Sequence, residues 1–373
     1  MRGNFPEIIA VSWEWTMTVL FRPFQIKKWL ILGFIALLAG QFTYGSNSRG
    51  NINLPRQDSA QPAIEETAGA DRAAPAKGGI PPPRGKFFTT LKETNKAVII
   101  FIIVFLFFIF SFLFLVFTWL YSRFSFIFLE AIVRNDASVK MPFRENKSAG
   151  NSYFLWNVII ALIGSAFVGL LGLAGYLSLS RIGIFNQGIK PCAGRIILAI
   201  LPVLLTFIVF VIISVLLNFV VRNFILPVMY KDKVGILKAW PPVLSMVKKH
   251  KGSVSLYLLI RVGLFIAAAF LAGLAGMVIS IGLILPAGAM AGMAFLGYKI
   301  MPDFLHPAYI GLLVVIGLSL LLAAGFCFNC LFLPLPVFFQ TFNLKFLARI
   351  EERYDLFDML TAEVKSGRFF EKT

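Results

Sequence analysis

Residues 96–121 read KAVIIFIIVFLFFIFSFLFLVFTWLY, and nothing after Lys96 in that stretch carries a charge. As a helix rising 1.5 Å per residue it extends about 38 Å. That exceeds the ~30 Å hydrocarbon core of a bilayer, whose interior requires every backbone polar group to be bonded within its own segment. A run this long and this rich in phenylalanine decides the fold class: a membrane-spanning α-helix.

The rest of the chain repeats the pattern. Of 373 residues, 58% are hydrophobic, 14% are charged and forty are phenylalanine. Mean hydropathy is +0.82. Soluble domains carry roughly 25% charged residues. Further spans are expected over 29–45, 153–180, 196–221, 254–285 and 308–333, which makes about six with 97–121. Residues 287–300 (AGAMAGMAFLGYKI) are apolar but short, and read as a re-entrant or interfacial piece. Residues 46–95 are rich in Pro, Gly, Ala and charge, including GGIPPPRGK at 78–86, and are expected to form a disordered loop. The charged segment 337–373 reads as a tail, helical at its start.

The first 28 residues form a separate problem. In FPEIIAVSWEWTMTVLFRPFQI (5–26) the apolar residues are interrupted by Glu7, Glu14 and Arg22. No short hydrophobic core with a small-residue cleavage site follows, so a signal peptide is not indicated. Two readings stand: an amphipathic helix in the membrane interface with Trp13 and Trp15 at headgroup depth, or an ordinary helix packed on the protein.

The net charge is +17. In a soluble protein this would suggest nucleic acid, but no basic, aromatic-interleaved soluble domain is present to bind it, so no nucleic-acid partner is expected. The basic residues lie between apolar runs and bias one side. Twenty-two fall on the side of the termini, 122–152 and 222–252, and twelve on the side of 46–95, 181–195 and Lys299. The positive-inside rule then puts both termini in the cytoplasm.

Three stretches share a layout: a hydrophobic helix, a proline beside an aromatic residue or a second proline, a basic patch, and an aromatic residue opening a span. They centre on Pro23, Pro142 and Pro242, and suggest three hairpin units. Internal repeats of this kind occur in transporters, whose sites form between repeats, and also in proteins that only bury helices.

The carrying residues of a wider likeness are Phe21-Arg22-Pro23-Phe24 before Lys28-Trp29-Leu30, Phe126 to Val133 before Met141-Pro142-Phe143, Asn223 to Pro227 followed by Ala239-Trp240, and Pro334-Leu335-Pro336-Val337-Phe338. In these the chain resembles a family of uncharacterised bacterial polytopic membrane proteins, among them the membrane domain attached to some glycerophosphodiester phosphodiesterases. The likeness implies a fold and the bacterial inner membrane as its place, and no activity. The catalytic barrel of those enzymes would need a further domain of ~250 residues.

Candidate chemistry is sparse. Cys192, Cys327 and Cys330 form no disulfide framework. Cys327 and Cys330 sit in an apolar helix, where cysteine packs as a small hydrophobe, and Asn329 between them is expected to bond across helices. Asp303 and His306 are too few for a metal site. Ala268, Ala272 and Gly276, followed by Gly288 and Gly292, would allow close helix approach. Arg261 reads as the single charge well inside a span, either snorkelling to headgroups or contacting a lipid phosphate or substrate. No phosphate-binding glycine loop and no hydrolase or metalloprotease motif occurs.

The expected function is therefore non-enzymatic and without cofactor or metal: an inner-membrane scaffold or accessory protein in contact with anionic lipid. The headgroup candidates are Arg22, Lys27, Lys28, Lys248, Lys249, Lys251 and Arg261, and a protein partner is expected at the C-terminal tail. The alternative is a transporter or channel for a hydrophobic or anionic solute. An intramembrane enzyme comes third.

Overall fold

The computed structural model describes residues 5–41, 96–182 and 193–358, and these are helical with no strand among them. The chain divides into two units, one of residues 1–45 with 116–373, the other of residues 46–115. In chain order the helices are α1 (Phe5–Phe21), α2 (Ile26–Leu38), α3 (Lys96–Arg134), α4 (Lys140–Glu145), α5 (Lys147–Arg181), α6 (Ala193–Val220), α7 (Leu226–Asp232), α8 (Ile236–Lys249), α9 (Lys251–Ile300), α10 (His306–Leu331) and α11 (Pro334–Ile350). A π-helical turn, Val221–Ile225, joins α6 to α7.

Five helical stretches are long and apolar enough to cross a membrane: Val98–Arg134, Lys147–Arg181, Gly194–Asp232, Lys251–Ile300 and His306–Leu331. The protein is thus an all-α, multi-pass membrane protein. The sixth span expected, over 29–45, does not take that form among the described residues. The helix described there, α2, has 13 residues and rises only about 20 Å, short of the ~30 Å hydrocarbon core. Residues 42–45, the loop 46–95 and the last residues of the tail, 359–373, lie outside the described residues.

In the larger unit, burial is concentrated where the long helices end. The second half of α3 (Phe124, Phe126, Ile127, Phe128, Leu129, Ile132), the π turn with α7 (Phe224 to Tyr230), one face of α8 and the middle of α11 (Val337, Phe342, Phe346, Leu347) are buried against one another, with α1 laid on α11. This is the cap of the molecule. Away from it α5, α6, α9 and α10 expose leucine, isoleucine, valine and phenylalanine on most of their surface, the state of helices that meet lipid.

Two expectations change here. Residues 337–350 belong to the cap core, as most of α11, and are not a surface tail. Val337 and Phe338 are buried there, and of the polar residues that follow, Thr341 donates to the Val337 carbonyl and Asn343 accepts from the Tyr257 hydroxyl. And α9 runs unbroken through Pro286 to Ile300, so 287–300 is neither re-entrant nor separate. A proline costs a helix one backbone bond and a steric clash, but membrane helices tolerate it.

The register of α9 against α10 shifts the span as well. Ala268 and Ala272 face Leu331, an added Cβ on Gly276 would lie 3.5 Å from the Phe328 ring, and the Tyr309 hydroxyl donates to the Ala294 carbonyl at 3.1 Å. The hairpin therefore pairs 268–297 with 309–331, well beyond the 254–285 expected. The first turns of α9, with Val254 and Tyr257 buried, belong to the cap.

Two of the three repeat units show a shared local form. α3 and α7 each end in a left-handed residue, Asn135 (φ 54°) and Lys233 (φ 52°), and a short helix and a long one then follow (α4 and α5, α8 and α9). The third, from α1 to α2, turns instead through a cis Arg22–Pro23 bond.

Candidate functional site

The basic residues separate into two populations. On α8, Ile236, Ala239, Val243 and Met246 face the core, a spacing of three, four and three residues that marks one helical face. The opposite face carries Leu237, Lys238, Pro241, Leu244, Lys248 and Lys249, all exposed, with Lys251 just beyond. Leu237 and Leu244 therefore lie outward with the lysines and not, as their apolar character suggests, in the core. Lys238, Lys248, Lys249 and Lys251 make no hydrogen bond or ion pair among the described residues, and neither do the exposed Arg22 and Lys27.

The other population is spent inside the protein. Lys28 is half-buried and donates to Asn135 Oδ1 at 2.7 Å. Burial pulls its pKa down, and Asp136 partly offsets this. Lys233 donates to Asn146 Oδ1 at 3.0 Å, and Lys231 to the Asp355 carbonyl at 3.3 Å. Arg222 reaches the carbonyls of Ala39 (3.0 Å) and Gly40 (3.3 Å). A guanidinium there meets both the orphan carbonyls and the negative dipole end of α2.

Arg261 differs from its expected setting. It is half-buried at the cap, its guanidinium carbon 5.1 Å from the Phe219 ring and 5.7 Å from that of Phe339, and it donates to the Tyr257 hydroxyl. That hydroxyl donates to Asn343 Oδ1 at 3.0 Å, and Asn343 Nδ2 donates to the Asn223 carbonyl at 2.6 Å. Tyr257 is also stacked on Phe346, with centroids 4.0 Å apart. A polar chain thus runs from the cap edge to the π turn, where the irregular backbone leaves a carbonyl for a side chain to satisfy.

Nor is Arg261 the single charge in an apolar helix. Arg123 is 5% exposed, donates to the Phe143 carbonyl (3.1 Å) and Asn151 Oδ1 (2.9 Å), and lies over the rings of Trp119 and Phe143. Glu130 is 1% exposed; it pairs with Arg134 Nε at 3.1 Å and accepts from Asn146 Nδ2 at 2.6 Å. Sequence reasoning missed both because it ended the span at Tyr121. The available signal was their seven-residue separation, which puts them near one face of a helix otherwise apolar from Phe124 to Val133.

Other expected contacts rearrange. Asn329 donates along its own helix, to the Gly325 carbonyl at 2.7 Å, and not across helices. Cys330 is buried against Gly33, and its carbonyl accepts from Trp29 Nε1 at 2.9 Å. Gly288 and Gly292 face open space. Trp13 is half exposed, but Trp15 belongs to the core, donating to the Ile132 carbonyl at 3.1 Å, so α1 packs on the cap through Ile8, Ser12, Thr16 and Val19. His306 Nε2 lies 3.1 Å from the Tyr298 and Met301 carbonyls. Among the described residues no three of His, Cys, Asp and Glu converge as a metal site would need.

A family model described as a family of unknown function, DUF7544, matches residues 8–357. The chain belongs to this family. No curated protein and no solved structure gives a significant match. The likeness to the membrane domain attached to some glycerophosphodiester phosphodiesterases therefore finds no support. The family match takes in the whole cap, from the buried Ile8 of α1 to Phe357.

Proposed function

We propose that this protein is a non-enzymatic membrane scaffold or accessory protein of the inner membrane, with cytoplasmic termini, held to anionic lipid by its basic cap. One observation carries the reading. The outer face of α8 interleaves Leu237, Pro241 and Leu244 with Lys238, Lys248 and Lys249, an arrangement suited to a helix lying at headgroup depth. Each basic residue near an anionic leaflet contributes roughly 1 kcal/mol. One polar chain of the cap core, Arg261–Tyr257–Asn343–Asn223, closes on the protein itself. This supports a packed scaffold over the alternative, a transporter or channel built around an open polar path. The C-terminal tail is the proposed protein-binding segment, and its last residues, 359–373, lie outside the described residues.

The test is thermal stability of purified protein in anionic and zwitterionic lipid. Anionic lipid should stabilise the native protein selectively, and changing Lys248, Lys249 and Lys251 to Gln should remove most of that preference. A triple variant that keeps the full preference would reduce the lysines to topology signals. Solute uptake by proteoliposomes would instead favour the transporter.

A further inference from the structure

At the corner where α1 turns into α2, Phe21, Phe24 and Trp29 pack ring against ring, with centroids 5.0 to 6.3 Å apart. Phe24 (57%), Ile26 (65%) and Leu30 (42%) are nevertheless exposed. Together with Trp29, Cys327 and Leu331 they line an open groove of about 330 Å³ between α2 and the last turns of α10. The groove thus lies at the last turns of an apolar helix long enough to cross a membrane. Its indole is fixed, because Trp29 Nε1 is already committed to the Cys330 carbonyl.

Arg22 and Lys27 flank the groove residues along the chain. Both are exposed, and neither has an ion pair or hydrogen bond among the described residues. Glu14, the nearest acid along the chain, lies eight residues back, about 12 Å of helix. An apolar groove flanked along the chain by two exposed cations that make no ion pair among the described residues complements a molecule with a hydrocarbon chain and an anionic head.

We propose that this groove is a binding site for one anionic phospholipid, its acyl chain lying on Ile26, Leu30, Cys327 and Leu331 and its phosphate held by Arg22 and Lys27. This deepens the lipid-contact reading above and rests on it, but uses a different surface from the α8 lysines. A free phosphate would leave the apolar floor uncovered, and a zwitterionic lipid would leave the cations without a net counter-charge.

The test uses the full-length protein in nanodiscs that contain phosphatidylglycerol or phosphatidylcholine with a photoactivatable diazirine in the acyl chain, read by peptide mass spectrometry. Crosslinks should map to 24–30 and 327–331, with phosphatidylglycerol exceeding phosphatidylcholine roughly thirtyfold, as two basic residues at about 1 kcal/mol each near an anionic head imply. Arg22→Gln with Lys27→Gln should bring phosphatidylglycerol down to the phosphatidylcholine level, while the Lys248, Lys249, Lys251→Gln variant should leave the groove crosslink unchanged. Equal labelling by the two lipids in the unmodified protein overturns the proposal without any variant. So does undiminished labelling in the double variant, which would make the groove a place for ordinary boundary lipid. Loss of anionic stabilisation in the α8 variant with groove labelling intact would separate the two surfaces.

Discussion

The contact between Gly33 of α2 and Cys330 of α10 is a sharp test of how α2 is placed. A Cβ added at Gly33 would lie 2.5 Å from Cys330 Sγ and 3.7 Å from its Cα. Gly33→Ala must therefore move the sulfur or the two helices apart, at an overpacking cost of ~1–3 kcal/mol. Alanine in place of glycine recovers up to ~1 kcal/mol of helix propensity, so the single variant should lose a net ~0–2 kcal/mol. In a Cys330→Ala background the obstructing sulfur is gone, and Gly33→Ala should become neutral or stabilising. The double-mutant cycle then carries a coupling of ~1–3 kcal/mol, measured by reversible unfolding in mixed detergent micelles. Coupling below about 0.5 kcal/mol would mean that α2 does not lie on α10 at this residue, and that a lipid-facing first helix describes the protein better.

Asn343→Leu should destabilise by ~2–4 kcal/mol, because it strands the Asn223 carbonyl and removes the acceptor of the Tyr257 hydroxyl; Tyr257→Phe should lose less, as its ring stacking survives, and equal losses in thermal unfolding would contradict the chain described. Glu130→Ala should cost ~1–3 kcal/mol by removing the acceptor that Asn146 and Arg134 share, though Asn146 keeps the Pro142 carbonyl and Arg134 the Glu145 carboxylate, whereas Glu130→Gln keeps the shape and should cost clearly less in the same assay. Arg222→Met should loosen the end of α2, which hydrogen exchange would register as faster opening around Leu37–Gly40 with the middle of α11 unchanged. The preference for anionic lipid should fall with salt, since the Debye length drops from about 10 Å at 0.1 M to about 3 Å at 1 M.

What was legible in the sequence followed from what a bilayer demands. An uncharged apolar run must be a helix in lipid, so the class and most of the spans could be read directly from Val98, Lys147 and His306 onward. The α8 stripe was legible only in part: read by apolar character, Leu237 and Leu244 join Ile236, Trp240, Val243 and Met246 on the buried face, whereas they lie exposed with the lysines. Hydropathy treats lipid and protein interior alike, and so it could not place the ends of long apolar helices. It could not show that Arg261 lies against Tyr257, Phe219 and Phe339, because nothing in the local sequence marks where α9 stops touching α11 and starts touching α10.

The all-helical, membrane-crossing character belongs to the sequence, because burying an unbonded backbone in hydrocarbon is prohibitive whatever the neighbours are. The cap belongs to the tertiary structure alone. Glu130 is tolerable because Arg134 lies one turn on along α3 and Asn146 arrives from the turn between α4 and α5, Tyr257 because Asn343 meets its hydroxyl, and the end of α2 because Arg222 reaches back from the π turn. Apart from the i,i+4 pair Glu130–Arg134, these pairings join residues that no local pattern connects, and the cost of an unpaired buried polar group is what selects them.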